Sequence, residues 1–388
     1  MVRKIVAAAV VCVVSALAAN GALAEDMAKI GLVLPLTGGL ATVGKQVQAG
    51  AQLYMQQHGT SVAGKKLDLI IKDDASVADN SKRLAQELIV NEKVAVIGSA
   101  LTPSAMAIGP LSTQGKTANV VMVSGTSGVI NPNNPYMVRT SFTLGQQSGI
   151  IGQWAAKNGS KKVVIVQSDW APGAEATAVF TDAFTKAGGE VLDTIKVPLA
   201  NPDFSPFLQR ARDLNPDTLF VFVPAQAGTF AKQFAERGLG KARIKLIGPG
   251  DIVDDNDLPG MGEAMLGVVT AGIYSVALDT KTNKDYVAAF EKANPMRPNF
   301  ISLGGYDGMH LIYEALKKTG GKTEADALVN AMKGMKWDSP RGPISIDPDT
   351  REIVQNVYIT KVERVKEELF AIPFETFEAV KDPLKAKT

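Results

Sequence analysis

The chain has 388 residues with 41 Lys and Arg against 39 Asp and Glu, two His and one Cys, a length beyond one ordinary domain that points to two. The lone Cys12 falls in an N-terminal leader, which excludes disulfide and thiol chemistry from the rest, and two His leave no usual zinc spacing. Near-balanced charge excludes nucleic acid and anionic membrane as natural partners, and no metal or cofactor is expected.

Taken in chain order, "MVRKIVAAAVVCVVSALAANGALA" has the three parts of a secretory signal: Arg3 and Lys4, an apolar stretch from Ile5 to Ala19, and Ala22-Leu23-Ala24 as the cleavage site. The apolar stretch is shorter than the ~20 residues of a spanning helix. Cys12 follows Val10 and Val11 in mid-stretch rather than at the cleavage point, so the expected product is a soluble periplasmic chain beginning at Glu25. Without Arg3 and Lys4, 39 basic residues face 39 acidic ones.

The strand-like "KIGLVL" is followed by "GLATVGKQ", which is G-x-x-x-x-G-K without its last member. A phosphate loop needs Ser or Thr there to help hold Mg²⁺, and Gln46 is a poor substitute. Further strand candidates are "LDLIIKDD", "VAVIGS", "NVVMVS", "KKVVIVQS", "GEVLDTIKV", "TLFVFV" and "IKLIG". Between them lie the helical periods "DNSKRLAQELIVNE", "GAEATAVFTDAFTKAGG", "DFSPFLQRARDLN" and "GTFAKQFAERGLG". Strand and helix in alternation predict an α/β fold of doubly wound, mostly parallel sheets covered on both faces. The series runs twice, the first ending near Thr143 and the second beginning near Lys161, with the helix-like "GQQSGIIGQWAAKNG" between.

Ligands of such sheets bind beyond the carboxyl ends of the strands. The turns there are small and hydroxylic: "SALTPSA" with Ser99, Thr102 and Ser104, and "SGTSG" with Ser124, Thr126 and Ser127. A hydroxyl beside free helix-start amides can hold a carboxylate without a cation, provided several donors converge. Each turn taken singly reads equally as helix capping.

The stretches "KIGLVLPLTGGLATVGKQVQAGAQLYMQ", "DLIIKDDASVADNSKRLAQELIVNEKVAVIGSALTPSA", "VSGTSG" and "NPYMVRTSFT" together resemble the periplasmic Leu/Ile/Val-binding protein family, the type I solute-binding proteins of ABC importers. The likeness runs from about Lys29 to about Ile359, with Asp73 to Ser76 among its more specific parts. It implies a two-lobed molecule: residues 25–144 plus 275–353, residues 145–274 plus 354–388, and three hinge crossings near 144, 274 and 354. The glycine-rich turn then borders the cleft. The likeness further implies a carboxylate held at Thr102 and Thr126 with backbone help from Ala100 and Ser124, and an aromatic of the second lobe at Trp170. Tyr274 is the aromatic that would close the pocket. Where the family places an acidic side chain for a ligand ammonium, this chain has Gly250, with Asp251 next to it.

The expected ligand is thus a small carboxylate, an apolar amino acid if Asp251 reaches the cleft and an aromatic acid if it does not. Pro224, Ala225 and Gln226 leave room where relatives have a bulky aromatic. Closure around the ligand by a monomer that serves a membrane permease is the implied mechanism, with no enzymatic activity.

The rival reading is an exported hydrolase. "GTSG" fails the G-x-S-x-G spacing, and His58 and His310 read as helix-end or packing residues. Asp73 with Asp74 and Asp254 with Asp255 read as solvated turn acids. "WDSPRGPISIDPDTREIVQNVYITKVE" reads as two strands around "DPDT" with Arg341 and Gly342 structural, and "KDPLKAKT" as a frayed tail.

Overall fold

A computed structural model describes residues 26–199 and 202–385; the predicted signal and its cleavage point lie outside them. The first six strands, β1 (Met27–Leu34), β2 (Ser61–Val62), β3 (Lys65–Asp73), β4 (Val96–Ala100), β5 (Ala118–Val123) and β6 (Met137–Arg139), form one sheet in the order β2-β3-β1-β4-β5-β6. All its pairings are parallel except the short β2 with β3. The second sheet takes β7 (Lys162–Ser168), β8 (Glu190–Val197), β9 (Thr218–Phe222), β10 (Lys245–Pro249), β11 (Val269–Gly272), β12 (Lys336–Ser339), β13 (Gly342–Ile346), β14 (Ile353–Val365) and β15 (Glu368–Val380). Its order is β12-β13-β14-β11-β10-β9-β7-β8, with β15 on β14. β7 to β11 are parallel neighbours, and the pairs from β11 through β14 outward are antiparallel.

All eight predicted strands are present. Their Val and Ile runs are buried because helices cover both faces, as in "VVIV" of β7, where Val163 to Val166 are fully buried. The helices Ala41–His58 and Phe300–Thr319 cross with little room between backbones. A Cβ on Gly50 would lie 1.8 Å from the Ser302 carbonyl, and one on Gly305 2.2 Å from that of Val47.

The C-terminal third departs from expectation in three places. "SPRG" is a tight connection between β12 and β13, so "WDSPRG…ITKVE" contains three strands rather than two. Gly342 there has φ +95°, a conformation any Cβ would strain. β13 pairs with β14 of the second sheet, while Ile344, Ile346 and Ile353 pack into the hydrophobic cluster of the first. The tail is not frayed through its described length: Asp382 is 2% exposed, Lys381 pairs with Asp347 at 2.8 Å, and Lys385 donates to the Ile130 carbonyl.

Polar side chains tie the chain where it passes between sheets. Thr143 and Gln146 form a reciprocal capping box at the start of helix Leu144–Lys157, and Gln146 Nε2 also donates to the carbonyls of Ile353 at 3.0 Å and Val380 at 2.8 Å. Arg341, 1% exposed, pairs with Asp307 at 2.6 Å and donates to the carbonyls of Ser141 and Thr140 and to Gln355 Oε1. The guanidinium is therefore a structural clamp.

Candidate ligand-binding site

At the carboxyl end of β4 the register shifts between Ser99 and Ala100, and Leu101 is thrown to φ +67°, a left-handed conformation that costs a branched residue energy. That kink turns Thr102 out of the sheet at the first turn of helix Thr102–Gln114. Its hydroxyl meets Ser124 Oγ at 2.8 Å and donates to Thr126 Oγ1 at 3.1 Å. The two turns that sequence reasoning could assign only singly thus present three hydroxyls as one cluster beside the buried Ala100.

The neighbouring hydroxyls part company with them. Ser99 Oγ donates to Asn119, and Ser104 Oγ to Asp74, both buried. Asp74, expected to be solvated, is fully buried and accepts from Ser76 N–H, Ser81 and Ser104. Asp73 accepts from the N–H groups of Leu36 and Thr37 and from Thr37 Oγ1 at 2.6 Å. Asp73 therefore pins the glycine-rich turn after β1 to the end of β3, with Gly38 at φ +80°, while Asp74 ties that strand end to the helices carrying Ser81 and Ser104. Asp254 and Asp255 are likewise buried rather than solvated, Asp254 held by Asn299 Nδ2 at 2.8 Å.

Beneath the hydroxyl cluster lies a residue passed over in the sequence. Arg139 on β6 is fully buried; its Nε donates to Glu352 at 2.6 Å, Nη2 to the Thr126 carbonyl at 2.8 Å, and Nη1 to the carbonyls of Phe142 and Ser124. Occupying these carbonyls fixes the backbone of 124–126 and brings a positive charge under a site that has none on its face. The signal was there: an Arg inside the apolar run "YMVRTSF" demands a buried partner.

The other expected site residues lie at strand ends of the second sheet. Trp170 is the residue before helix Ala171–Lys186, at the carboxyl end of β7. Asp251 lies in the turn Gly250–Val253 after β10, and Tyr274 follows β11. Trp170 Nε1, Asp251 Oδ2 and Tyr274 OH are each buried without a hydrogen-bond partner among the described residues. Unmade bonds of this kind cost about 1–3 kcal/mol each and ask for a reason.

Gly250 has no room for a side chain: a Cβ there would sit 2.7 Å from Gly272 Cα and 3.1 Å from Gln147 Oε1, where β10 approaches β11. Gln147 instead accepts the Gly250 N–H at 2.8 Å and also bonds the Asp251 carboxylate. Tyr274 lines a small cavity with Gln147, Gly250, Asp255 and Phe300. Its ring stands edge-on to Tyr286 at 6.4 Å, and no described contact joins it to the hydroxyl cluster. Pro224–Gln226 form a short turn at the end of β9.

Burial pushes Asp251 up to about 7 and Asp254 to about 6, and it raises Asp255 well above its ordinary value with help from the neighbouring Asp254 charge. The folded chain then holds protons that the unfolded chain has released. Their stabilisation is complete below the unfolded carboxyl value of about 3.9 and is lost as pH rises through the folded values. His58 and His310, lowered by burial, act in the opposite sense below about 6.5. Three carboxyls outweigh two imidazoles. The thermal midpoint of the ligand-free protein is expected to be lower at about pH 8 than at about pH 5, and a midpoint rising steadily across that interval would contradict the burial of these acids.

Two mostly parallel sheets flanked by helices, with hydroxyl turns at the strand ends of one and Trp170 and Asp251 at the strand ends of the other, have the architecture of a two-sheet solute-binding protein. The periplasmic binding protein family profile matches residues 28–367, and the chain belongs to that family. A solute-binding protein of an ABC transporter from Rhodopseudomonas palustris BisB5, solved with 3,4-dihydroxybenzoic acid, is 60% identical with a TM-score of 0.90 and covers 93% of this chain and 100% of its own. One from R. palustris HaA2, solved with p-hydroxybenzoic acid, is 39% identical with a TM-score of 0.89 over 94% and 100%. The Leu/Ile/Val-binding protein homolog 6 of Brucella suis biovar 1 (strain 1330) is 43% identical over 96% and 97% of the two chains. The chain is accordingly a solute-binding protein of an ABC transporter, a binding protein rather than an enzyme, of a periplasmic family. The hydrolase reading has no support: His58 stacks on Tyr54 at 4.1 Å, and His310 bonds the Tyr54 hydroxyl at 3.2 Å.

Proposed function

We propose that the protein captures a hydroxylated aromatic carboxylic acid between two lobes and delivers it to a membrane permease, after export with cleavage behind Ala24. The lobes are those expected from sequence, residues 25–144 plus 275–353 and residues 145–274 plus 354–388, and the protein works as a monomer. The carboxylate lies against the hydroxyls of Thr102, Ser124 and Thr126, with Ala100 contributing backbone. The ring lies by Trp170, and Asp251 accepts a ring hydroxyl.

The observation that carries this reading is the pairing of a hydroxyl cluster on one sheet with unpartnered buried polar atoms of Trp170 and Asp251 on the other. A benzoate ring with a hydroxyl opposite its carboxylate offers an acceptor to the first and a donor to Asp251. The 60% and 39% identical neighbours were solved with such acids. An α-amino acid fits less well: the family's acidic position is Gly250, and Asp251, raised to about 7, is a weak counter-charge for a buried ammonium.

Thermal shift tests it. A ligand at a hundred times its dissociation constant adds roughly 2.7 kcal/mol, so 3,4-dihydroxybenzoate is expected to raise the midpoint and leucine to leave it unmoved. Thr126→Ala removes one charge-assisted donor and should weaken binding about tenfold or more. An unchanged response in that variant removes the hydroxyl cluster from the site.

A further inference from the structure

Helix Ala171–Lys186 carries one acidic side chain across to the ligand turn of the other sheet. Glu175 stands five residues after Trp170, and its Oε1 accepts the N–H of Ser127 at 2.9 Å. Ser127 adjoins Thr126 in the segment between β5 and β6, so this single bond runs from the first sheet's hydroxyl turn to the second sheet's wall. Burial raises the Glu175 carboxyl above its ordinary value. Of the charges that face it, Asp382 on the C-terminal segment repels it and Arg139 under the turn attracts it. Separation of the sheets would return this carboxylate to water and free the Ser127 amide. The bond therefore exists only while the gap is shut.

The geometry points to Glu175 as a closure latch, a positioning residue that holds the hydroxyl turn against the second lobe and sets how long a bound acid stays. This rests on the two-lobe reading above. The ligand enters only molecules whose latch is open, so the latch slows release and does not speed capture.

Two variants separate bond from charge. Glu175→Ala loses the acceptor, whereas Glu175→Gln keeps an oxygen that can accept from Ser127 N–H. With 3,4-dihydroxybenzoate in stopped flow, Glu175→Ala is expected to release the acid about tenfold faster, equivalent to about 1.4 kcal/mol, with association no slower. Glu175→Gln should stay near the parent rate, and the ligand-free thermal midpoint should not move. Because the only cysteine is Cys12 of the leader, spin labels at Lys93→Cys and Lys241→Cys report the distance between sheets without background. Glu175→Ala is expected to shift the ligand-free distribution to longer distances. Failure of the parent to bind the acid would sink the functional reading alone, since the label distances decide the latch by themselves. Unchanged release with unchanged distances, or a fall in midpoint equal to the whole loss of affinity, overturns the latch.

Discussion

Arg139→Met is expected to lower stability by about 3–5 kcal/mol and to abolish ligand binding in whatever remains folded. The first effect follows from Glu352, 2% exposed and already pushed up by burial against the pull of Arg139. Removal of the guanidinium leaves that carboxylate buried with only Lys385 at 3.7 Å. The second follows from the carbonyls of Thr126 and Phe142, which lose their donor, and that of Ser124, which keeps only Ser141 Oγ at 3.2 Å, so the hydroxyl turn loses its fixed backbone. Chemical denaturation and calorimetry read the two effects separately. In the double variant Arg139→Met with Glu352→Leu, apolar groups replace the ion pair, which should return part of the stability but none of the binding. Wild-type affinity in the single variant would show that the turn stands without its clamp.

Arg341→Met should cost a similar amount, about 3–5 kcal/mol, with a different functional outcome. Asp307, 1% exposed, would keep only Ser339 Oγ at 2.8 Å and Trp337 Nε1 at 3.1 Å, the Thr140 carbonyl would lose its donor, and the Ser141 carbonyl would keep only Gln355 Nε2 at 3.1 Å. None of these groups belongs to the proposed site. Affinity measured well below the unfolding range is therefore expected to fall less than tenfold, in contrast with Arg139. Loss of binding equal to that of Arg139→Met would place Arg341 in the recognition machinery.

Eight parallel strands were legible because their Val- and Ile-rich runs are largely buried and sit between strong helical periods; β6 and β11, with three and four residues, are too short to show such a run. β13 to β15 were harder. "SPRG" closes a hairpin through a glycine at φ +95°, and β15 buries only Leu369 and Ala371 and is otherwise half-buried or exposed, which no apolar run announces. At the site, Thr102, Ser124 and Thr126 could be named from turn position, yet their mutual contact depends on a bulge after Ser99 that periodicity does not encode. Arg139 and Glu175 were missed for a common reason: a charged residue in a strand or helix reads as solvent-facing until its partner, here 213 or 48 residues away, is brought beside it. The same blindness made Asp74, Asp254 and Asp255 look solvated.

The most direct test is calorimetric titration of residues 25–388 with 3,4-dihydroxybenzoate and, separately, leucine. One equivalent of the aromatic acid bound at micromolar strength or tighter, about 8 kcal/mol or more, with no heat from leucine, is the predicted result. Saturable binding of leucine with none of the aromatic acid would contradict the assignment of Trp170 and Asp251 to a ring and its hydroxyl.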